Sequence, residues 1–171
     1  MPPYPSSPLM IVGIPNVGKS TFINKVAKKK SAKAGDRPGV TRGKQWVTVE
    51  PGFLLLDTPG ILWPKFDDPN VGMMLAYTGA VKENVIDTEE LACKLAELLW
   101  KYYPDAVRQR YGIDVPDCIP GYQLIEEMGR KRGYLMARAE VNTERMAKVL
   151  LDEYRSGKLG HFTLEMPEEE A

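Results

Sequence analysis

A glycine-rich segment near the start of the sequence has the residue types and spacing of a phosphate-binding loop. It follows the pattern G-x-x-x-x-G-K-S and reads Gly13-Ile14-Pro15-Asn16-Val17-Gly18-Lys19-Ser20. The glycines of such a loop let backbone N–H groups surround phosphate oxygens, and the helix that follows adds partial positive charge at its N-terminus. The pattern predicts that Lys19 bridges the β- and γ-phosphates and that the Ser20 hydroxyl ligates Mg²⁺.

A second motif follows a short apolar run and reads Asp57-Thr58-Pro59-Gly60. An aspartate at the end of a strand can hold Mg²⁺ through water, and we expect the Gly60 N–H to sense a γ-phosphate. Taken alone, the motif fits an ordinary Pro-Gly turn equally well, but the phosphate loop upstream favours the functional interpretation. The residues that we expect to bind nucleotide are Asn16, Val17, Gly18, Lys19, Ser20, Thr21 and Gly60.

A third motif, Pro38-Gly39-Val40-Thr41, lies between the first two. A mobile loop that offers a threonine hydroxyl to Mg²⁺ is what a GTPase switch requires, although the same residues also fit a simple Pro-Gly turn. With this motif, the expected magnesium ligands are Ser20, Thr41 and Asp57. The order of the three motifs argues against a P-loop kinase, which needs an acceptor site and lid arginines instead.

The elements expected to position these motifs are strands and one helix. Residues 9–12 are predicted to form a buried parallel strand that leads into the phosphate loop, and residues 21–27 the helix after it. Residues 46–49 and 53–56 are rich in strand formers and are separated by a turn, which predicts a hairpin. Asp57 then stands at the end of the second hairpin strand.

The second part of the sequence has the apolar spacing of helices. Asp87 is expected to cap one helix with Glu90 as its partner, Pro104 to end it, and Asn142 to cap a later one. The apolar positions at helical spacing are Leu91, Leu95, Leu98, Leu99 and Tyr102, then Tyr122, Ile125 and Met128, then Met146, Val149, Leu150 and Tyr154. We therefore predict a proline-rich leader (1–8), a phosphate-loop and switch part (9–66) and an all-helical C-terminal domain (67–171).

The composition is ordinary for a soluble globular chain of 171 residues, with 43% hydrophobic residues. Lys and Arg together number 23, as do Asp and Glu, so no net charge draws the whole chain to nucleic acid or to a membrane. Two cysteines make neither a disulfide framework nor a metal site. No signal peptide and no apolar run near the roughly 18 residues of a membrane span is present, so we expect a cytoplasmic location.

Together the motifs resemble those of the YlqF/RbgA family, the ribosome biogenesis GTPase A proteins, which are circularly permuted GTPases. The similarity runs through residues 11–20, 35–41, 45–47 and 55–65 almost without gaps. The marks in the helical part are Thr78-Gly79-Ala80, Tyr103-Pro104, Arg110-Tyr111-Gly112 and Lys131-Arg132-Gly133. The resemblance implies a partial P-loop GTPase core of the α/β, Rossmann-like class that binds GTP or GDP with Mg²⁺ and assists late assembly of the large (50S) ribosomal subunit.

The N/T-K-x-D motif, with which GTPases recognise guanine, is not found in this sequence. Asn24-Lys25-Val26-Ala27 lacks the aspartate, and Asn84-Val85-Ile86-Asp87 lacks the lysine. Since the permuted family places this motif before the phosphate loop, we expect the chain to be the C-terminal part of a longer protein. We also expect an incomplete base pocket and an apolar sheet edge that the preceding segment would otherwise cover.

Two positions beside the phosphate loop carry further expectations. Ile61 stands where many GTPases place a catalytic glutamine, and because an apolar side chain cannot orient the attacking water, no catalytic residue is assigned. Asn16 resembles the asparagine with which potassium-stimulated GTPases help to hold K⁺. An asparagine that merely fits a tight loop is an equally good interpretation.

Basic residues in the helical part raise the question of RNA. Arg130, Lys131, Arg132, Arg138 and Arg145 fit a solvated helix surface, whereas the resemblance implies contact with rRNA of the large-subunit precursor, with no membrane or DNA partner. The leading hypothesis is therefore a ribosome-assembly GTPase. The alternatives are a non-catalytic rRNA-binding module and a P-loop ATPase or kinase. His161 is the single histidine and receives no catalytic role.

Overall fold

The computed structural model describes residues 7–28, 43–50, 53–62, 68–81 and 87–164. The chain forms two compact units, Met1–Lys82 and Glu83–Ala171. The first unit therefore includes residues 67–82, which the composition had assigned to the helical domain. Thr41 and the rest of its motif, most of the expected leader and the acidic tail lie outside the described residues.

A small mixed sheet forms the centre of the first unit. It consists of β1 (Ser7–Ile11), β2 (Gln45–Glu50) and β3 (Phe53–Asp57) in the order β1-β3-β2. β1 runs parallel to β3 and β2 runs antiparallel to it, which confirms the predicted parallel strand and the predicted hairpin. The register places Ile11 opposite Asp57, so the phosphate loop leaves the sheet at the same end as the second motif.

The strand β1 differs from its prediction in two ways. It begins at Ser7, inside the segment expected to be a leader, because Ser7 and Pro8 extend the ladder with β3. It was also expected to be buried, but Leu9 is 49% exposed and Met10 60% exposed. Within the described residues β1 pairs with β3 alone, and an exposed apolar edge is what the family resemblance implies for this side of the sheet.

In the described part of the first unit there are two helices. Helix α1 (Lys19–Val26) packs on the sheet, and its Ile23 joins Val47 and Leu55 in a small buried core. Helix α2 (Pro69–Tyr77) begins at Asp68, whose side chain accepts a hydrogen bond from the Asn70 N–H. The core side of α1 thereby fixes the position of Lys19 and Ser20 in its first turn.

Four helices form the second unit, as far as the chain is described: α3 (Thr88–Tyr102), α4 (Pro104–Tyr111), α5 (Gly121–Lys131) and α6 (Thr143–Arg155). The caps at Asp87 and Asn142 are confirmed, since both side chains accept hydrogen bonds from the first turns. The sequence did not predict α4. Pro104 ends α3 but also begins α4, because proline is well suited to the first position of a helix.

The core of the second unit comes from one face of each helix. Its members include Leu91, Leu95, Leu99, Val107, Leu124, Ile125, Met128, Met146, Leu150 and Leu151. Tyr102 and Tyr122, which were predicted to lie on these faces, are exposed. None of the helices in the described part of the chain has the length and apolar character needed to cross a membrane.

Candidate phosphate-binding site

The glycine-rich segment forms a tight loop between the end of β1 and the start of α1. Gly18 (φ 87°) and Asn16 (φ 60°) adopt left-handed backbone conformations, separated by one residue. Left-handed residues alternating with ordinary ones turn successive backbone N–H groups toward a common point, which suits an anion. Glycine satisfies this requirement at position 18 without strain, and asparagine is among the residues that tolerate it best.

The loop lysine is held by the loop itself. The Nζ atom of Lys19 donates hydrogen bonds to the carbonyl oxygens of Gly13 at 3.0 Å and Ile14 at 2.7 Å. Burial lowers the pKa of the Lys19 ammonium, and the negative charge of Asp57 acts in the opposite direction. The lysine is thereby fixed over the loop, where a phosphate chain bound by the backbone N–H groups would meet it.

Ser20 and Asp57 come together at the base of the loop. The Ser20 Oγ donates a hydrogen bond to Asp57 Oδ2 at 2.7 Å, and Asp57 is fully buried at the end of β3. A hydroxyl oxygen beside a carboxylate oxygen is a hard donor set of the kind that Mg²⁺ prefers. The donor set therefore fits the ion, while the third expected ligand, Thr41, lies outside the described residues.

The second motif packs directly against the phosphate loop. The Thr58 Oγ1 donates to the Ile11 carbonyl at 2.7 Å, and the Ile61 N–H donates to the Gly13 carbonyl at 3.4 Å. A Cβ atom on Gly60 would lie 2.4 Å from the Pro15 nitrogen, closer than atoms can approach. Only glycine allows this contact, so the Gly60 backbone lies directly against the phosphate loop.

Asn16 has a contact that the sequence did not predict. Its Nδ2 atom donates a hydrogen bond to the carbonyl of Gly79 at 2.8 Å, 63 positions along the chain. In the sequence, the similarity of Thr78-Gly79-Ala80 to the YlqF/RbgA family was the one indication that this segment matters, and it assigned no role to the segment. Of the other expected nucleotide residues, Val17 and Thr21 are exposed at the loop and the first turn of α1.

The two near matches to a guanine-recognition motif have other places in the structure. Lys25 lies in the last turn of α1, and Asp87 caps α3 through hydrogen bonds from the Glu89 and Glu90 N–H groups. Among the described residues, Lys25 belongs to a helix and Asp87 to the start of one, not to the end of a strand of this sheet. Both therefore serve local structure rather than base recognition.

The five candidate RNA contacts of the second unit have different surroundings. Arg130 pairs with Glu126 and Glu127 on the same helix, and Arg145 lies 4.3 Å from the centre of the Tyr134 ring. Lys131 and Arg138 are exposed. Arg132, which had been grouped with the candidate RNA contacts, instead lies beside the buried carboxylate of Glu153.

Glu153 organises a buried polar cluster in the second unit. Its carboxylate accepts hydrogen bonds from the Arg110 guanidinium and from the Tyr111 hydroxyl, the latter at 2.8 Å. The hydrogen bonds from Arg110 are the main cause that lowers the pKa of Glu153, and burial opposes them. Burial and the neighbouring carboxylate raise the pKa of Tyr111. The cluster joins α4 to α6.

Comparison with known proteins places this geometry in a family. Residues 8–99 match the family described as 50S ribosome-binding GTPase (MMR_HSR1). The sequence is 47% identical over 161 residues to ribosome biogenesis GTPase A of Bacillus cereus, covering 94% of this chain and 54% of the relative. The chain thus spans about half the length of the curated relatives that it matches.

Solved structures agree with the sequence comparison. The chain is similar to GDP-bound TM YlqF with a TM-score of 0.61 and 27% identity, over 96% of this chain and 62% of that one. It is similar to GNP-bound YlqF from T. maritima with a TM-score of 0.59 and 28% identity, over 95% and 60% of the two chains. The chain has a P-loop GTPase fold and belongs to the 50S ribosome-binding GTPase family, in which its resemblance to the YlqF/RbgA proteins is confirmed.

Proposed function

We propose that this chain supplies the phosphate- and magnesium-binding part of a cytoplasmic GTPase that assists late assembly of the large ribosomal subunit. The contact between Ser20 and Asp57 carries the proposal, because it joins a loop hydroxyl and a strand-end carboxylate at 2.7 Å. The names of the relatives, ribosome biogenesis GTPase A, support the biological setting.

Each residue of the site has a distinct role in this proposal. Backbone N–H groups of residues 16–21 bind the phosphate oxygens, and Lys19 neutralises charge on the β- and γ-phosphates. Ser20 and Asp57, with Thr41 from the preceding loop, hold Mg²⁺, which when bound neutralises charge that develops on the transferred phosphoryl group. The Gly60 N–H lies at the loop and reports whether a γ-phosphate is present.

Hydrolysis needs a group that positions water, and Ile61 does not supply one. Its side chain is apolar and 78% exposed, so it neither donates to nor accepts from a water molecule. We infer that the water is oriented by a ribosomal partner or by a further segment of the protein. Turnover by this chain alone is expected to be slow.

Nucleotide binding tests the proposal directly. Lys19→Ala should weaken binding of fluorescent GDP by at least tenfold, whereas Lys25→Ala, on the exposed last turn of the same helix, should not. Competition with ADP separates the guanine hypothesis from a P-loop ATPase, since tighter binding of ADP than of GDP would overturn the former. Absence of any Mg²⁺-dependent nucleotide binding by the wild-type chain would reject the GTPase proposal.

The partner that we propose is rRNA of the large-subunit precursor, contacted by the second unit. The observations that favour it are the exposure of Lys131 and Arg138 and the position of Arg145 over the Tyr134 ring. Lys131→Ala with Arg138→Ala should weaken rRNA binding and make its dependence on salt shallower. Lys94→Ala on α3 should leave both unchanged, and RNA binding that ignores nucleotide would favour the non-catalytic module.

A further inference from the structure

One hydrogen bond ties the phosphate loop to the turn that ends α2. The Asn16 Nδ2 donates to the Gly79 carbonyl at 2.8 Å, and the pair is partly buried. Both residues belong to the first compact unit. Gly79 lies far from the other motifs in sequence, and the proposed chemistry assigns it no role.

The acceptor in this bond is held rigidly by the end of the helix. The Gly79 N–H donates to the Ala76 carbonyl at 3.0 Å, and the Ala80 N–H donates to the Leu75 carbonyl at 2.9 Å. Gly79 itself adopts a left-handed conformation with φ 73° and is buried. This pair of bonds is the Schellman arrangement, and it fixes the direction in which the Gly79 carbonyl points.

The donor in this bond has an unusual backbone. Asn16 has φ 60°, a left-handed conformation that residues with side chains rarely adopt. This conformation turns the neighbouring backbone N–H groups of the loop toward the phosphate position. A hydrogen bond from the Asn16 side chain to a rigid acceptor stabilises the conformation, and so keeps the loop ready for phosphate.

We propose that Gly79 is a positioning residue, whose carbonyl holds the phosphate loop in its binding conformation through the Asn16 carboxamide. Since coupling between two sites is reciprocal, a bound nucleoside diphosphate should also stabilise the turn at Gly79 and Ala80. This inference rests on the proposed function, namely that the loop binds a nucleotide. It adds a link from that loop to the end of α2.

Two variants of Asn16 separate the effect of the Asn16–Gly79 hydrogen bond from the effect of backbone strain. Asn16→Gly removes the donor but adopts the left-handed conformation easily, whereas Asn16→Ala removes the donor and adds strain. Asn16→Gly should bind fluorescent GDP roughly fivefold to tenfold more weakly than wild type, which corresponds to the loss of one hydrogen bond. Asn16→Ala should bind more weakly than Asn16→Gly, because it adds backbone strain to the same loss. Thr78→Ala is the control, because it removes a hydroxyl that donates a hydrogen bond within the turn, to the Leu75 carbonyl.

Hydrogen exchange at the turn provides a second readout. Saturating GDP should slow exchange of the Gly79 and Ala80 N–H groups in wild type and in Thr78→Ala, and should not do so in Asn16→Gly. Affinities measured in Na⁺ and in K⁺ distinguish this role from cation binding by Asn16. If Asn16 acts through its hydrogen bond to Gly79, the loss of GDP affinity should be the same in Na⁺ and in K⁺.

The outcomes separate the inference from the function on which it rests. If wild type binds GDP and Asn16→Gly binds it equally well, or loses affinity in K⁺ alone, the positioning role is wrong while the proposed function stands. A GDP-dependent exchange response that persists in Asn16→Gly also overturns it. If the wild-type chain binds no nucleotide, both the proposed GTPase function and the positioning role of Gly79 are wrong.

Discussion

The Ser20 hydroxyl donates a hydrogen bond to Asp57 Oδ2 across 2.7 Å, although the residues are 37 positions apart in sequence. Ser20 lies in the first turn of α1, and Asp57 is the last residue of β3. The parallel register between β1 and β3 places Ile11 opposite Asp57, so the loop that follows β1 passes over the carboxylate. The sheet therefore brings two of the three expected magnesium donors, Ser20 and Asp57, next to each other.

Ser20→Ala should reduce the contribution of Mg²⁺ to nucleotide binding. The variant removes one oxygen ligand but leaves the backbone N–H groups and Lys19 in place. We expect GDP affinity in Mg²⁺ to fall roughly tenfold and affinity in EDTA to stay close to wild type. Thr48→Ala, an exposed position on β2, serves as the control. An equal loss in Mg²⁺ and in EDTA would show that the hydroxyl contributes to the loop rather than to the ion.

Gly60→Ala should distort the contact between the second motif and the phosphate loop. The new Cβ atom would meet backbone atoms of Pro15 at 2.4 and 2.5 Å, and backbone cannot move aside as a flexible side chain can. We expect GDP binding to weaken by roughly tenfold or more, as measured by fluorescence titration. Gly43→Ala is the matched control, since its Cβ would meet nothing within 4 Å. Equal affinities for the two variants would contradict the role given to Gly60.

Local patterns predicted the site better than they predicted its surroundings. The phosphate loop, α1 and the hairpin follow from glycine spacing, apolar runs and turn residues, all of which act over a few positions. Helix α4 was missed because Pro104 was interpreted as a terminator alone, whereas it also starts a helix. The exposure of Leu9 depends on which strands flank β1, and a single strand's composition does not specify its neighbours.

Contacts between distant residues account for the other differences. The pairing of Asn16 with Gly79 depends on where α2 ends relative to the loop, which no local pattern encodes. Arg132 looked like a member of a basic surface, but α6 brings Glu153 beside it. In both cases the residue type was informative, while its partner became known only from the fold.

Phe162→Ala should loosen the segment that follows α6. Phe162 packs against Tyr103 at 4.7 Å between ring centres and stacks on Tyr154 at 6.1 Å. Because its ring is only partly buried, we expect a loss of about 2 kcal/mol in the free energy of unfolding of the second unit, below the cost of a fully buried phenylalanine. Urea unfolding followed by tyrosine and tryptophan fluorescence measures it.

The control for this prediction is Phe22→Ala on α1, since Phe22 is 55% exposed. Tyr103→Phe gives an independent check, because the Tyr103 hydroxyl both donates to the Thr163 carbonyl and accepts from the Thr163 N–H. That variant should lose about 1 kcal/mol. If Phe162→Ala destabilises the chain no more than Phe22→Ala, the segment is not anchored by its aromatic contacts.

Glu153 should make the second unit sensitive to acid. Hydrogen bonds from Arg110 hold the pKa of Glu153 below its usual value of 4.5. A carboxyl whose pKa is lower in the folded than in the unfolded state stabilises the fold above the unfolded pKa. That contribution is lost as the pH falls through the folded pKa. The stability of the wild-type chain should therefore decline as the pH drops below about 4.5.

Glu153→Gln tests the sign and the source of this effect. The variant should lose about 2–3 kcal/mol at neutral pH, because Arg110 and Tyr111 keep only a neutral partner in a buried place. Its stability should also depend less on pH below 4.5, since the titrating group is gone. Urea unfolding across a pH series measures both, with Glu140→Gln at an exposed position as the control. An acid dependence in Glu153→Gln as steep as in wild type would assign the effect to other carboxylates.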